Sequence, residues 1–128
     1  MSEPHWPAHP FADLIGLTVD HAADGMSRCR VVLRPELFNP HGVAHGAVAY
    51  ALADTGMGAA LYTRLGAEES CATIEIKIVY LSSARAGELV CNTRVVRKGS
   101  RVAVLDSEIF ESDRLVAMAL GTYSILQR

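Results

Sequence analysis

Hydrophobic residues recur with two different periods along the chain. Between residues 45 and 65 they lie three and four positions apart, as at Val48, Leu52 and Ala59, which predicts one long helix. Most other residues of this segment are alanine or glycine, so we expect the helix to be buried over most of its surface. From residue 73 to residue 81 the period changes to two, as in T-I-E-I-K-I, which predicts a strand.

Further alternating segments predict an antiparallel sheet. Before the helix, two short segments flank the turn-like A-A-D-G of residues 22–25 and predict a hairpin, and residues 10–16 predict a short helix. After the helix, the strand at 73–81 begins a predicted meander of long strands that continues at residues 88–96, 101–110 and 115–126. One long helix followed by a run of strands indicates an α+β domain with the helix lying on the sheet.

Length and charge limit the class of protein. A chain of 128 residues, 50% of them hydrophobic, can bury one core, so we expect a single domain over residues 1–128. Three prolines mark an N-terminal arm at residues 1–10. The 12 basic and 14 acidic residues are well mixed and give a net charge of −2, which argues against a partner that is a nucleic acid or a membrane surface.

Cysteine use and apolar runs indicate a cytoplasmic protein. Cys29, Cys71 and Cys91 are odd in number and widely spaced, which favours core thiols of a reducing compartment. The start, M-S-E-P-H-W-P, lacks the basic and apolar regions of a signal peptide. The longest apolar run, residues 46–62, is interrupted by Asp54 and is too short and too polar at its centre for a membrane span.

Asp54 is a lone carboxylate in this apolar helix, and burying it is costly unless it is paired or hydrogen-bonded. One interpretation is that Asp54 caps a second helical segment. Another is the D-T-G signature of aspartic proteases, but that signature needs a strand and a turn, whereas the preceding A-V-A-Y-A-L-A favours helix. The third interpretation is that Asp54 is present for chemistry.

His41 and His45 are four residues apart, the spacing of a metal-binding pair on a helix. The zinc-protease pattern requires a glutamate after the first histidine, where this chain has Gly42. Pro40 and Gly42 also argue that the two histidines do not share a helix. We therefore expect no metal site.

Gly46 lies where the predicted helix begins, and the first N–H groups of a helix have no intrahelical partners. Gly46 is either an ordinary helix-start glycine or the N–H donor of an oxyanion site. It precedes Asp54 by eight residues, or about 12 Å at the helical rise of about 1.5 Å per residue. If both serve one reaction, Asp54 must come from a second subunit, which predicts a two-fold dimer with two shared sites.

The basic turn at residues 97–101, R-K-G-S-R, has two interpretations. It is either a solvated hairpin turn or a clamp for the phosphates of a nucleotide-bearing substrate.

Taken together, these features resemble the hotdog-fold acyl-CoA thioesterases, in particular their phenylacetate-degradation (PaaI-type) branch. The resemblance runs from about Phe11 to Ile125 and centres on N-x-x-G-x-x-H-G at residues 39–46, followed eight residues later by Asp54. It implies a long central helix wrapped by an antiparallel sheet, dimers that pair into tetramers, and hydrolysis of an acyl-CoA to a free acid and coenzyme A. Coenzyme A is then part of the substrate, and no cofactor is needed.

The resemblance also implies roles for five catalytic residues. The Gly46 N–H and Asn39 polarise the thioester carbonyl, and His45 positions Asn39 or the thioester. Asp54 of the facing subunit activates the attacking water or attacks directly, and Thr73 assists that carboxylate. Substrate-binding roles fall to Tyr80, near the pantetheine path, and to the coenzyme A-contacting turn, Lys98, Gly99, Ser100 and Arg101.

The chain departs from the family's sequence pattern in two places, and two functions other than thioester hydrolysis stay open. Ala47 stands where the family often has a second glycine, and the basic turn lacks the common K-x-G-K order. A non-catalytic acyl-CoA-binding protein and a hotdog dehydratase or hydratase are the alternative functions. The branch favours aryl-acetyl or short-to-medium acyl groups, while the sequence itself does not identify the acyl group.

Overall fold

The computed structural model describes residues 9–127, which form two α-helices, one short 3₁₀ turn and six strands. In chain order these are α1 (Pro10–Ile15), β1 (Leu17–Ala23), β2 (Met26–Val32), the 3₁₀ turn (Pro35–Leu37), α2 (Gly46–Tyr62), β3 (Glu69–Tyr80), β4 (Glu88–Lys98), β5 (Val102–Glu111) and β6 (Arg114–Gln127). The α+β expectation is confirmed. Of the arm predicted at residues 1–10, only His9 and Pro10 are described, and Pro10 already belongs to α1.

Both predicted helices form. Helix α1 ends at Gly16, which adopts the left-handed conformation with a φ of 74°. Helix α2 begins at Gly46 after the N-cap His45 and continues without a break to Tyr62. Asp54 therefore lies in the middle of a helix, and the N-cap and aspartic-protease interpretations of this residue are both wrong.

The six strands form one antiparallel sheet in the order β1-β2-β4-β5-β6-β3. The predicted β1–β2 hairpin and the β4–β5–β6 meander are confirmed. The position expected for β3 at the start of that meander is wrong, because β3 pairs with β6 at the far edge of the sheet. Alternation along a strand indicates which face each residue occupies, but it does not identify the neighbouring strand.

Helix α2 packs across the inner face of the sheet. Leu52, Met57 and Leu61 are fully buried there, and Cys29 and Cys91 face each other across β2 and β4 beneath the helix. Burial raises the pKa of Cys29 to about 12 and also raises that of Cys91, so both thiols stay protonated. Within residues 9–127, no helix is long and apolar enough to cross a membrane.

The helix and sheet approach each other closely at Gly56. A Cβ at this position would lie 2.8 Å from Thr93 Oγ1, and the Ser27 hydroxyl donates to the Gly56 carbonyl at 2.6 Å. Thr93 is itself held by a 2.6 Å hydrogen bond to the buried Ser107 hydroxyl. The helix can therefore pack at this distance only because residue 56 has no side chain.

We expect Gly56→Ala to lower the free energy of unfolding by about 1–3 kcal/mol, because the added methyl group overpacks the helix–sheet contact. The matched control is Gly58→Ala, where the new Cβ meets nothing within 4 Å. The higher helix propensity of alanine should stabilise that variant by up to about 1 kcal/mol. Urea unfolding measures both variants, and equal stabilities would contradict the close approach at Gly56.

Candidate functional site

The beginning of α2 presents a free backbone donor. The Ala47 N–H donates to Nδ1 of the N-cap His45 at 2.9 Å, and the Val48 N–H donates to the His45 carbonyl at 3.0 Å. Within residues 9–127, no acceptor is bonded to the Gly46 N–H. His45 therefore accepts from the N–H groups of Ala47 and Val48. It leaves the Gly46 N–H available at the positive end of the helix dipole.

Asn39, which lines the same cavity as Gly46, supplies a second donor. Its Oδ1 accepts from the His41 N–H at 2.9 Å, which fixes the amide and leaves Nδ2 without an acceptor among the described residues. The loop closes tightly through Gly42, whose φ is 78° and whose N–H donates to the Asn39 carbonyl at 3.0 Å. This turn accounts for the three-residue spacing between Asn39 and Gly42 in the sequence.

Tyr80, at the end of β3, packs against Gly46. Its hydroxyl donates to the Gly46 carbonyl at 2.6 Å, and a Cβ on Gly46 would lie 3.0 Å from the tyrosine ring. Burial, and then the nearby Tyr50, raise the pKa of Tyr80, so its hydroxyl remains a donor at neutral pH. Asn39, His45, Gly46 and Tyr80 all line one cavity of about 430 Å³.

His45 is hydrogen-bonded to the first turn of α2. Its Nδ1 is occupied by the Ala47 N–H, and among the described residues no hydrogen bond joins His45 to the Asn39 side chain. His41 lies in the loop and His45 at the helix N-cap, so the two histidines do not share a helix. That His45 positions Asn39 or the thioester stays a prediction.

Asp54 lies eight residues further along α2 and is bound by two hydroxyl groups. Thr73 Oγ1 donates to Asp54 Oδ1 at 2.7 Å, and the Tyr123 hydroxyl is within hydrogen-bond distance of the same oxygen. The carboxylate is therefore hydrogen-bonded, and its contact with Thr73 joins the two residues that the resemblance pairs. Asp54 is half-buried, and β3 and β6 supply its hydrogen-bond donors.

A second, larger cavity of about 930 Å³ surrounds this carboxylate. Its polar lining includes Asp54, Thr73 and Tyr123, together with His9, Asp13, Thr18, Thr55 and the half-buried Cys71. The expectation that all three cysteines are core thiols is thus wrong for Cys71, whose pKa is raised by burial and then by the negative charge of Asp54. The apolar walls of this cavity come from α1, β1 and α2 and include Phe11, Leu17, Ala51, Ala59 and Tyr62.

No pattern in the sequence identifies Tyr123 as a site residue. Burial, and then the hydrogen bond to Asp54, raise the pKa of Tyr123 far above its usual range. Alternation in β6 could have assigned it to the inner face. Its position opposite Thr73, however, depends on the pairing of β3 with β6, for which the sequence carries no signal.

The residues around Gly46 and the residues around Asp54 do not meet within one chain. Gly46 and Asp54 line different cavities, and their separation along α2 is about 12 Å. The chain thus presents two N–H donors without acceptors among the described residues in one cavity and a hydroxyl-bound carboxylate in the other. We call these the donor half-site (Asn39, Gly46 and Tyr80) and the carboxylate half-site (Asp54, Thr73 and Tyr123).

The basic turn between β4 and β5 borders neither cavity. Gly99 closes it by donating its N–H to the Val102 carbonyl at 2.8 Å. Lys98 lies 3.6 Å from Glu69 in an ion pair, whereas Ser100 and Arg101 are exposed. Arg101 has no ion-pair partner among residues 9–127, so it is the better placed of these two cations to meet a phosphate.

Comparison with known proteins gives the family. The sequence profile of the Thioesterase superfamily matches residues 41–118. A protein of Halobacterium salinarum, provisionally named an esterase, is 34% identical over 106 residues, which cover 79% of this chain and 70% of that protein.

Solved structures agree with this assignment. A conserved Pseudomonas aeruginosa protein superposes with a TM-score of 0.90 at 33% identity, covering 93% of this chain and 95% of that one. A variant of the phenylacetic acid degradation protein PaaI from Thermus thermophilus superposes with a TM-score of 0.84 at 29% identity, covering 91% and 98%. The chain therefore belongs to the Thioesterase superfamily and has its hotdog fold.

Proposed function

We propose that this protein hydrolyses acyl-CoA thioesters as a homodimer in which each active site combines the donor half-site of one chain with the carboxylate half-site of the other. The observation that carries the proposal is the separation of the two half-sites along α2. Each half-site alone lacks something that thioester hydrolysis needs. Among the described residues, no carboxylate lines the first cavity, and the donors bound to Asp54 in the second are hydroxyl groups and not backbone N–H groups.

In the proposed reaction, the Gly46 N–H and Asn39 Nδ2 donate to the thioester carbonyl oxygen and stabilise the charge that develops there. Asp54 of the partner subunit either removes a proton from the attacking water or attacks the carbonyl carbon directly. Collapse of the tetrahedral intermediate breaks the C–S bond and releases coenzyme A as a thiolate. If Asp54 has attacked directly, this step leaves an acyl–Asp54 anhydride, which water then hydrolyses to the free acid and the restored carboxylate. Because a thiolate leaves readily, the reaction requires no cofactor and no strong general acid.

The position of β3 supports a dimer through this strand. It is an edge strand, so one side of its backbone has no partner strand within the described sheet. It also carries a residue of each half-site, Thr73 near its middle and Tyr80 at its end. Antiparallel pairing of two β3 strands about a two-fold axis between Ile76 and Lys77 would set Thr73 opposite the partner's Tyr80.

The branch, the higher assembly and the acyl group belong to the same proposal. Similarity to the Thermus thermophilus phenylacetic acid degradation protein supports the PaaI-type branch. With that branch we propose an aryl-acetyl or short-to-medium acyl group and the pairing of dimers into tetramers. The proposed compartment is the cytoplasm.

The experiment that tests the function is a kinetic screen of the purified protein against phenylacetyl-CoA and a series of short- and medium-chain acyl-CoAs. We expect release of free thiol, detected by a disulfide-exchange dye, with the highest kcat/KM for one of these acyl classes. Acyl-CoA binding without thiol release would instead indicate a binding protein. A change in double-bond absorbance without thiol release would indicate a dehydratase or hydratase.

We also expect Arg101→Ala to raise KM for acyl-CoA about two- to fivefold, the scale of an exposed charge pair, with little change in kcat. The same substitution should leave KM unchanged for the matching acyl-pantetheine, which lacks the nucleotide phosphates. Arg94→Ala is the matched control, because it removes the same charge from an exposed residue that is paired with Asp106. An equal rise in KM for both substrates would exclude a phosphate contact by Arg101.

A further inference from the structure

Tyr123 contacts Asp54 at two atoms. Its hydroxyl is within hydrogen-bond distance of the carboxylate Oδ1 and lies 2.8 Å from the backbone carbonyl oxygen of the same residue. A phenol carries one proton, so this proton is shared between the side chain and the main chain of Asp54. The shared contact ties the orientation of the carboxylate to the backbone of α2.

The two carboxylate oxygens have different surroundings. Oδ1 accepts from Thr73 at 2.7 Å and from Tyr123, whereas no donor among residues 9–127 is bonded to Oδ2. The carboxylate itself lines the larger cavity. Its Oδ2 lone pairs are therefore free to accept a proton or to form a bond, while those of Oδ1 are engaged.

The two hydroxyl donors also differ in how firmly they are held. Thr73 is exposed on the edge strand β3, whereas Tyr123 is only 2% exposed and lies on β6 between β5 and β3. The phenol ring is fixed by core packing, and its raised pKa keeps it a donor at any pH at which the enzyme would work. Tyr123 is the more rigid of the two anchors.

From this geometry, and resting on the function proposed above, we propose that Tyr123 is a positioning residue for thioester hydrolysis. Together with Thr73 it holds Oδ1 of Asp54, and it thereby selects Oδ2 as the oxygen that meets the attacking water or the thioester carbonyl. Tyr123 does not touch the substrate in this role. It acts through the orientation of Asp54.

Tyr123→Phe keeps the buried ring and removes only the hydroxyl. We expect kcat to fall about ten- to hundredfold, since a misplaced catalytic group can cost that much, while KM changes less than about threefold. The matched control is Ser107→Ala, which removes another buried hydroxyl, hydrogen-bonded to Thr93 at 2.6 Å outside both cavities. It should lower the unfolding midpoint in urea and leave kcat per folded protein unchanged.

A double-variant cycle separates positioning from a general structural effect. If Tyr123 acts through the Asp54 carboxylate, adding Tyr123→Phe to Asp54→Asn should lower kcat by less than about twofold more. A loss by the same factor in both backgrounds, or a Tyr123→Phe variant with the parental kcat, would overturn the inference. Should Tyr123→Phe not fold, Thr73→Val on the exposed edge strand tests the same hold on Oδ1 and should lower kcat at constant KM.

The outcomes for the two proposals can be told apart. If Asp54→Asn is impaired but neither Tyr123→Phe nor Thr73→Val is, the positioning role fails and the proposed reaction stands. If Asp54→Asn hydrolyses acyl-CoA at the parental rate, the proposed mechanism fails, and the role of Tyr123 falls with it.

Discussion

Asp54→Asn is expected to lower kcat for acyl-CoA hydrolysis by at least about 10²-fold, the scale on which a general base contributes. The amide cannot remove a proton from water at neutral pH, and it is a poor nucleophile toward a thioester. Its oxygen can still accept from the Thr73 and Tyr123 hydroxyls that bind Oδ1 in the parent. The variant should therefore fold and bind substrate while turning over very slowly.

The control for this substitution is Asp106→Asn, the same chemical change at a residue of β5 that pairs with Arg94 at 2.9 Å. It should retain the parental kcat. Circular dichroism and urea unfolding of both variants establish that the folded fraction is unchanged. An Asp54→Asn enzyme as active as Asp106→Asn would refute the catalytic role of this carboxylate.

The second large effect is expected from Gly46→Pro, which removes the N–H that we propose as an oxyanion donor. Proline is accepted at the first helical position, where its missing N–H breaks no intrahelical bond. The preceding His45 has a ψ of 139°, an extended conformation that proline tolerates in its neighbour. Loss of one oxyanion donor should lower kcat about 10²- to 10³-fold.

Gly46→Ala is the matched variant, because it adds a Cβ and keeps the N–H. That Cβ would lie 3.0 Å from the Tyr80 ring, so the ring must move slightly and a smaller loss of activity is expected. The ratio of kcat between the alanine and proline variants then reports on the N–H itself. If the two variants lose equal activity, the Gly46 N–H does not stabilise the oxyanion.

Much of the fold follows from local patterns in the sequence. The three- and four-residue spacing predicts α2, and the start of that helix predicts the free Gly46 N–H, because helix ends leave backbone groups unpaired whatever the tertiary context. The length of the helix also separates Gly46 from Asp54. These features depend on residues that are close in sequence.

The surroundings of Asp54 could not be predicted in this way. Its hydroxyl donors lie 19 and 69 residues away, on β3 and β6. They meet at Asp54 only because β3 crosses to the far edge and pairs with β6. Alternation does not encode that choice of neighbour, so both the burial state of Asp54 and the contact with Tyr123 depend on long-range pairing.

In the basic turn at residues 97–101, too, local patterns predict the exposure but not the long-range contacts. The exposure of the turn follows from the hairpin pattern, but the ion pair of Lys98 with Glu69 joins the end of β4 to the start of β3. The sequence alone does not distinguish Lys98 from Arg101 as the residue that contacts a substrate phosphate. In the structure, Lys98 is paired with Glu69, whereas Arg101 has no ion-pair partner among the described residues.

The most direct test of the shared active site is complementation between two inactive variants. Asp54→Asn and Gly46→Pro are co-expressed with different tags and purified together, so that chains pair at random. If each site takes its donors from one chain and its carboxylate from the other, about a quarter of the sites contain both intact groups. We predict about a quarter of the parental kcat from the mixed protein, against about 1% or less from either variant alone. Activity of the mixture no higher than the mean of the two variants would contradict a site built from two subunits.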